Sequence, residues 1–202
     1  MPLRAPPELG DSSHDLTRLS SMLQIPRAAT TRDVAAIQEL IRHSVRGLSG
    51  AHYSPAQIDA ALDAVFGVDT QLIADRTYYV IDGPTGPVAA GGWSARRTLF
   101  GGDQMKQAQD PLLDPAVDAA RIRAFFVHPD WARRGLARRL YDTCQRAAAS
   151  AGFRELELMA TLPGEPLYAA LGFTPVERVV LTLPTAIDVP FVRMTRRIEP
   201  PV

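Results

Sequence analysis

The residues best suited to chemistry in this 202-residue chain lie in one turn, Arg133-Arg134-Gly135-Leu136-Ala137-Arg138. The turn follows an apolar run ending in Phe125-Phe126-Val127 and precedes a stretch with helical spacing. The start of a helix presents backbone N–H groups that no residue inside the helix accepts. Its dipole adds partial positive charge at the same place. Two arginines beside the small residues Gly135 and Ala137 therefore make a site for a di-anion such as a pyrophosphate. Taken alone, the same residues also suit a basic surface turn that holds no ligand.

Composition bounds the partners. Lys+Arg and Asp+Glu balance at 22 each, so there is no global attraction to nucleic acid or anionic lipid. Any recognition by charge must be local. Apolar residues make up 46% and charged residues 22%, as in an ordinary globular protein with a real core. The single cysteine, Cys144, allows no internal disulfide and fits a reducing compartment. No apolar run has the length of a membrane span, and residues 1–21 lack an apolar signal core, so the expected location is cytoplasmic.

The elements that must position the turn follow from spacing and punctuation. Residues 1–21, rich in proline and serine, read as a flexible N-terminal extension, and 22–202 as the folded domain. Leu23-Gln24-Ile25 alternates like a strand. Thr30 and Asp33 open a helix with the stripe Val34, Ile37, Leu40, Ile41, Val45. Ser54-Pro55-Ala56-Gln57 opens a second, which Gly67 ends. A hairpin over 77–98 turns at Gly83-Pro84-Thr85-Gly86, and Gly91-Gly92 inside it points to a bulge or a close approach. A long connection, 100–119, carries Asp103, Asp110, Asp114 and Asp118, read as a solvated face. Then come a strand over 121–127, a helix over 134–151, a strand over 155–160, a short helix over 163–171, and strands over 176–183 and 191–198. The β-α-β unit in the middle requires a parallel pair with a right-handed crossover.

The segment from Ile122 to Leu140 resembles the cofactor-binding motif of the GNAT superfamily of acetyl-CoA-dependent N-acetyltransferases. That motif is a strand ending in Val, a few residues including Pro, then Gln/Arg-x-x-Gly-x-Gly/Ala opening a helix. Gly135 and Ala137 fill the two small positions. Ala132 stands where Gln or Arg is usual, and Arg133 and Arg134 supply the charge instead. Leu167-Tyr168-Ala169-Ala170-Leu171-Gly172-Phe173 is similar to the Tyr-x-x-x-Gly-Phe segment found one helix and one strand further on. The resemblance spans roughly residues 23–183 and implies the GNAT fold: a mixed α/β (α+β) architecture whose central, mostly antiparallel sheet is splayed and flanked by helices.

It also implies a reaction, the transfer of an acetyl group from acetyl-CoA to a primary amine by direct attack, without a covalent enzyme intermediate or a metal. The attacking amine must be unprotonated, and α-amino groups and lysines titrate near ~8 and ~10.4. The departing thiolate needs a proton. Tyr168 stands at the position of the general acid, where a phenol near pKa ~10 stays protonated at neutral pH; the alternative is a ring that only packs. Glu157 matches a position that serves as base in some members, or it is a salt-bridge partner of Arg121 or Arg123. By the same resemblance the backbone of Phe125, Phe126 and Val127 contacts the pantetheine arm, while Arg133, Arg134, Gly135, Leu136, Ala137 and Arg138 hold the pyrophosphate. Trp93 and Arg123 are the candidate acceptor-binding residues, Trp93 being equally at home in the core. Many members carry an Asn where this chain has Thr161-Leu162-Pro163-Gly164.

A small-molecule acceptor is expected, because the two-helix segment and the long 100–119 loop can enclose a cavity. Protein N-termini and lysines are the alternative acceptors. A CoA-binding sensor without turnover is the alternative class, and a homodimer is common among such proteins. Cys144, in helical register with Tyr141 and Ala148, reads as packing. His14, His43, His52 and His128 have no metal-ligand spacing.

Overall fold

The computed structural model describes residues 24–106 and 110–198; the expected N-terminal extension and residue 23 lie outside it. Five helices and seven strands are present among these residues. β1 is Arg27–Ala28, α1 Val34–Leu48, α2 Pro55–Ala64, α3 Thr70–Ala74, β2 Tyr78–Gly83 and β3 Gly86–Ser94. β4 is Ala120–Val127, α4 Leu136–Ser150, β5 Glu155–Thr161, α5 Glu165–Ala170, β6 Thr174–Thr182 and β7 Asp188–Arg197.

The helices begin where their capping chemistry dictates. Asp33 Oδ2 accepts from the amide of Thr30 at 2.8 Å, closing a box ahead of α1. Ser54 Oγ accepts from the Gln57 amide at 3.2 Å, and Gln57 Oε1 accepts from the Ser54 amide at 2.9 Å. α1 buries Ile37, Leu40, Ile41, Ser44 and Val45, a single stripe at helical spacing. α4 buries Leu136, Leu140, Tyr141, Cys144 and Ala148 in the same way.

The strands form one sheet in the order β1-β2-β3-β4-β5-β7-β6. Every neighbouring pair is antiparallel except β4 and β5, which are parallel and joined through α4. That parallel pair is short: only Ala120 faces Leu156 and Arg121 faces Glu157. Beyond them the two strands diverge, so the mostly antiparallel sheet is split at its centre. One core cluster joins α1 and α2 to Tyr78, Val80 and Phe191. A second joins α4 to Ile122, Leu156, Leu158 and Met194.

β4 carries an extra residue opposite Gly91, between the pairs Ala90–Phe126 and Gly92–Arg123. Ala124 takes φ of 55° there, a conformation that costs a non-glycine residue about 1 kcal/mol. A Cβ on Gly91 would come within 2.7 Å of the Phe125 ring. The paired glycines of β3 thus mark both a bulge and a close approach.

Three expectations change. The first strand is Arg27–Ala28 rather than 23–25, since Ile25 is exposed and makes no ladder. α3 was not legible as a helix: five residues carry too little periodicity, and its signal is the cap, where buried Asp69 accepts from the amides of Gln71 and Leu72. The aspartates after residue 100 are more than a solvated face. Asp103 accepts from the Thr70 amide, Asp110 from the Thr98 amide, and Asp114 from the Ala116 amide. No described helix is long and apolar enough to cross a membrane.

Candidate active site

The split between β4 and β5 opens a cavity of about 220 Å³. Phe125, Phe126 and Val127 line one edge of it, Met159 and Thr161 the other, and Ala137, Gly164, Leu167 and Tyr168 close the end nearest α4 and α5. Because of the bulge, Phe125 turns toward α4 and α5 while Phe126 turns toward α1. Phe125 meets the Tyr168 ring edge-on at 6.4 Å. The Tyr168 hydroxyl has no hydrogen-bond partner among the described residues, although its ring packs on Phe173 at 5.8 Å. Burial pushes its phenol well above the ordinary value, with a smaller push from Cys144, so it stays protonated at neutral pH. The Val127 amide donates to Ser44 Oγ of α1 at 3.2 Å, inside the same cavity.

At the turn, Gly135 has φ of 80° and caps α4 from the left-handed region. No side chain caps this helix and its first turn carries no acid. A Cβ on Gly135 would meet nothing within 4 Å, so the space in front of the amides is open. Arg133, Arg134 and Arg138 are exposed there, and the Arg134 guanidinium sits 4.9 Å over the Trp131 ring. The Leu136 side chain points into the core, which leaves only its backbone to face a ligand. This is a cradle for an anion, made of amides and flanking guanidinium groups.

The remaining candidates stand elsewhere. Glu157 is almost buried and both its oxygens are taken: Arg193 donates at 2.8 Å and Arg121 pairs with the other oxygen. It does not line the cavity. Its partners are thus Arg121 and Arg193, not Arg123. Arg123 does line the cavity, but its side chain is 1% exposed and both terminal nitrogens of its guanidinium are engaged, with Nε buried and unpartnered. It donates to Asp69 at 2.7 Å, to the carbonyl of Thr98 at 2.6 Å and to that of Gly101 at 2.7 Å. Lys106 pairs with the same Asp69. Arg123 therefore ties the segment 98–101 to the sheet instead of offering a free charge to an acceptor. Trp93 is buried against Phe153 at 6.1 Å, in the core beneath α4, and does not line the cavity. An alternating strand shows two faces but not which helix covers each, which is why sequence left both options open.

The wall opposite Tyr168 was missed. Phe66, Phe100 and Phe191 line it with Phe126 and Met159. Phe66 lies 6.1 Å from Phe126 and 6.3 Å from Phe191, and Phe100 lies 5.9 Å from Phe191. Phe126, Met159 and Phe191 come from β4, β5 and β7, Phe66 and Phe100 from the connections after α2 and β3, and no linear spacing connects them. The only advance signal was Phe100 at the head of a long loop.

Residues 115–195, which include the split strands, the cradle and Tyr168, match the family model described as "Acetyltransferase (GNAT) domain". A GCN5-related N-acetyltransferase from Rhodopseudomonas palustris superposes with a TM-score of 0.63 at 20% identity, covering 86% of this chain and 94% of its own. The PaiA N-acetyltransferase from Thermoplasma acidophilum, in complex with coenzyme A, gives 0.56 at 11% identity, covering 86% and 98%. The yncA protein of Salmonella typhimurium, with its cofactor acetyl-CoA, gives 0.56 at 16% identity, covering 86% and 93%. No curated protein sequence matches this chain. The fold is thus shared with these N-acetyltransferase structures, and residues 115–195 match the GNAT acetyltransferase domain model.

Proposed function

We propose that the protein transfers an acetyl group from acetyl-CoA to the amine of a small molecule in one step, with Tyr168 as the proton donor. One observation carries this reading: Tyr168 lines the cavity at the parting of β4 and β5, and its hydroxyl has no hydrogen-bond partner among the described residues. Acetyl-CoA supplies an acetyl group activated as a thioester. The open cradle at Gly135, the uncapped amides of α4 and the exposed Arg133 and Arg134 suit its pyrophosphate. The side of β4 that β5 leaves unpaired, from Phe125 to Val127, suits its pantetheine arm, by adding to the strand edge.

Tyr168 holds its proton at Oη and delivers it to the departing sulfur. The raised pKa keeps the phenol in its donor form and makes it a poor base. The hydroxyl of Ser44, held by the Val127 amide that donates to it, supplies a donor on the α1 side, where negative charge develops on a carbonyl oxygen. Glu157 serves as an anchor, since two guanidinium groups already occupy it. The amine therefore reaches the cavity unprotonated.

The test is Tyr168→Phe, followed by thiol release and by calorimetry with CoA. Turnover falls about a hundredfold while CoA affinity holds. Unchanged turnover would remove Tyr168 from the chemistry. A wild-type protein that binds CoA and acetylates no amine would instead be a sensor.

A further inference from the structure

We infer that the acceptor is an uncharged aromatic amine of the aniline type, held edge-on among Phe66, Phe100, Phe126 and Phe191. This rests on the transferase reading above and specifies its acceptor. The four rings come from β4, β7 and the connections after α2 and β3, and neighbouring rings meet at 5.9 to 6.3 Å, lining the cavity together with Tyr168. Such spacing is that of aromatic pairs, and a fifth ring entering among them gains the same edge-to-face contacts. A cavity of about 150 Å³ is enough for a benzene ring. The 220 Å³ here leaves room for one ring and a two-carbon acyl end.

Charge selects the same class. Among the described residues no aspartate or glutamate lines the cavity, and the one charged side chain that does is the guanidinium of Arg123. The two buried carboxylates of the sheet and its flank are each shared between two cations: Asp69 by Arg123 and Lys106, Glu157 by Arg121 and Arg193. An ammonium group entering this wall would lose its water and find no counter-charge. Nor does any free base stand ready to deprotonate it. An aniline nitrogen needs neither, because its lone pair is shared with the ring and it is unprotonated at neutral pH. The transfer forms the bond from this nitrogen to the acetyl carbon and breaks the carbon–sulfur bond. One proton passes from Tyr168 to sulfur, and the proton shed by the amine returns through solvent to the phenolate.

The experiment compares 4-methylaniline, phenethylamine, spermidine and an alanine-terminated peptide as acceptors by thiol release, and titrates 4-methylaniline into the protein with CoA by calorimetry. The aniline shows a kcat/KM about tenfold or more above the cations, and it binds the CoA-loaded protein. Phe100→Ala, at a half-buried position, raises its KM about tenfold and leaves CoA affinity unchanged. Leu48→Glu, at the 39%-exposed mouth, turns the preference toward phenethylamine. Preference of the wild type for spermidine or the peptide, or an unmoved KM in Phe100→Ala, overturns the acceptor class and leaves the transferase standing. Failure of every amine in a protein that binds CoA overturns the transferase itself.

Discussion

Three residues at the split show how burial assigns roles that residue type leaves open. Tyr168, Glu157 and Arg123 are all capable of acid–base or binding work, but Glu157 lies outside the cavity between two arginines and the guanidinium of Arg123 is tied to Asp69, whereas Tyr168 lines the cavity with no hydroxyl partner among the described residues. Glu157 between Arg121 and Arg193 is a structural ion pair. Glu157→Gln leaves the largely buried Arg121 without its carboxylate, an uncompensated charge that costs about 3 kcal/mol, while the more exposed Arg193 keeps Glu177. For a domain of this size that lowers the unfolding midpoint by about 10 °C in a thermal melt. The pH profile of turnover stays where it was. A displaced acid limb in that profile would return Glu157 to the chemistry.

At the scale of elements, the start of α4 and the first corner of the sheet make separate predictions. Gly135→Glu forces a side chain into the left-handed region, at about 1 kcal/mol, and points a carboxylate into open space before the helix amides. CoA affinity measured by calorimetry falls about a hundredfold or more, and the melting curve moves little. At the corner, Arg27 binds Asp33 at 2.7 Å and Asp82 at 2.6 Å, pinning β1 to the box before α1 and to the β2 hairpin. The Arg27 guanidinium holds the Asp33 carboxyl well below the usual carboxylate range. A depressed folded pKa stabilises at pH above the unfolded value and loses that contribution as pH falls through the folded one. The melting temperature should therefore be flat near neutrality and drop below about pH 4. Arg27→Gln should shallow that drop. Arg27 is partly exposed, so salt screens the effect.

The whole molecule depends on contacts that cross the split. Tyr53 donates to the carbonyl of Pro190 at 2.8 Å and accepts from the Leu162 amide at 2.9 Å, joining the connection between α1 and α2 to β7 and to the residue after β5. Cys144, fully buried under α4, has a thiol that burial pushes up. Its alkylation should therefore wait on opening of this core. The native protein resists iodoacetamide, and modification rises in step with unfolding in urea. Rapid reaction without loss of structure would show that α4 detaches locally.

Much was legible in advance because it is carried by neighbours in the chain. The caps at Thr30 and Ser54, the stripes of α1 and α4, the hairpin, the glycines opposite the bulge and the basic turn at Gly135 are each settled within a few residues, where backbone sterics and unpaired amides act. The same locality hid α3, too short for a period, and moved β1 to where partners exist. Tertiary structure alone decided which polar residues remained free. Solvent exclusion and pairing act between residues far apart in sequence, so nothing local separates Glu157, locked by Arg121 and Arg193, from Tyr168, left open. Phe66, Phe100, Phe126 and Phe191 read singly as core, and only the parting of β4 from β5 makes them the wall of a site.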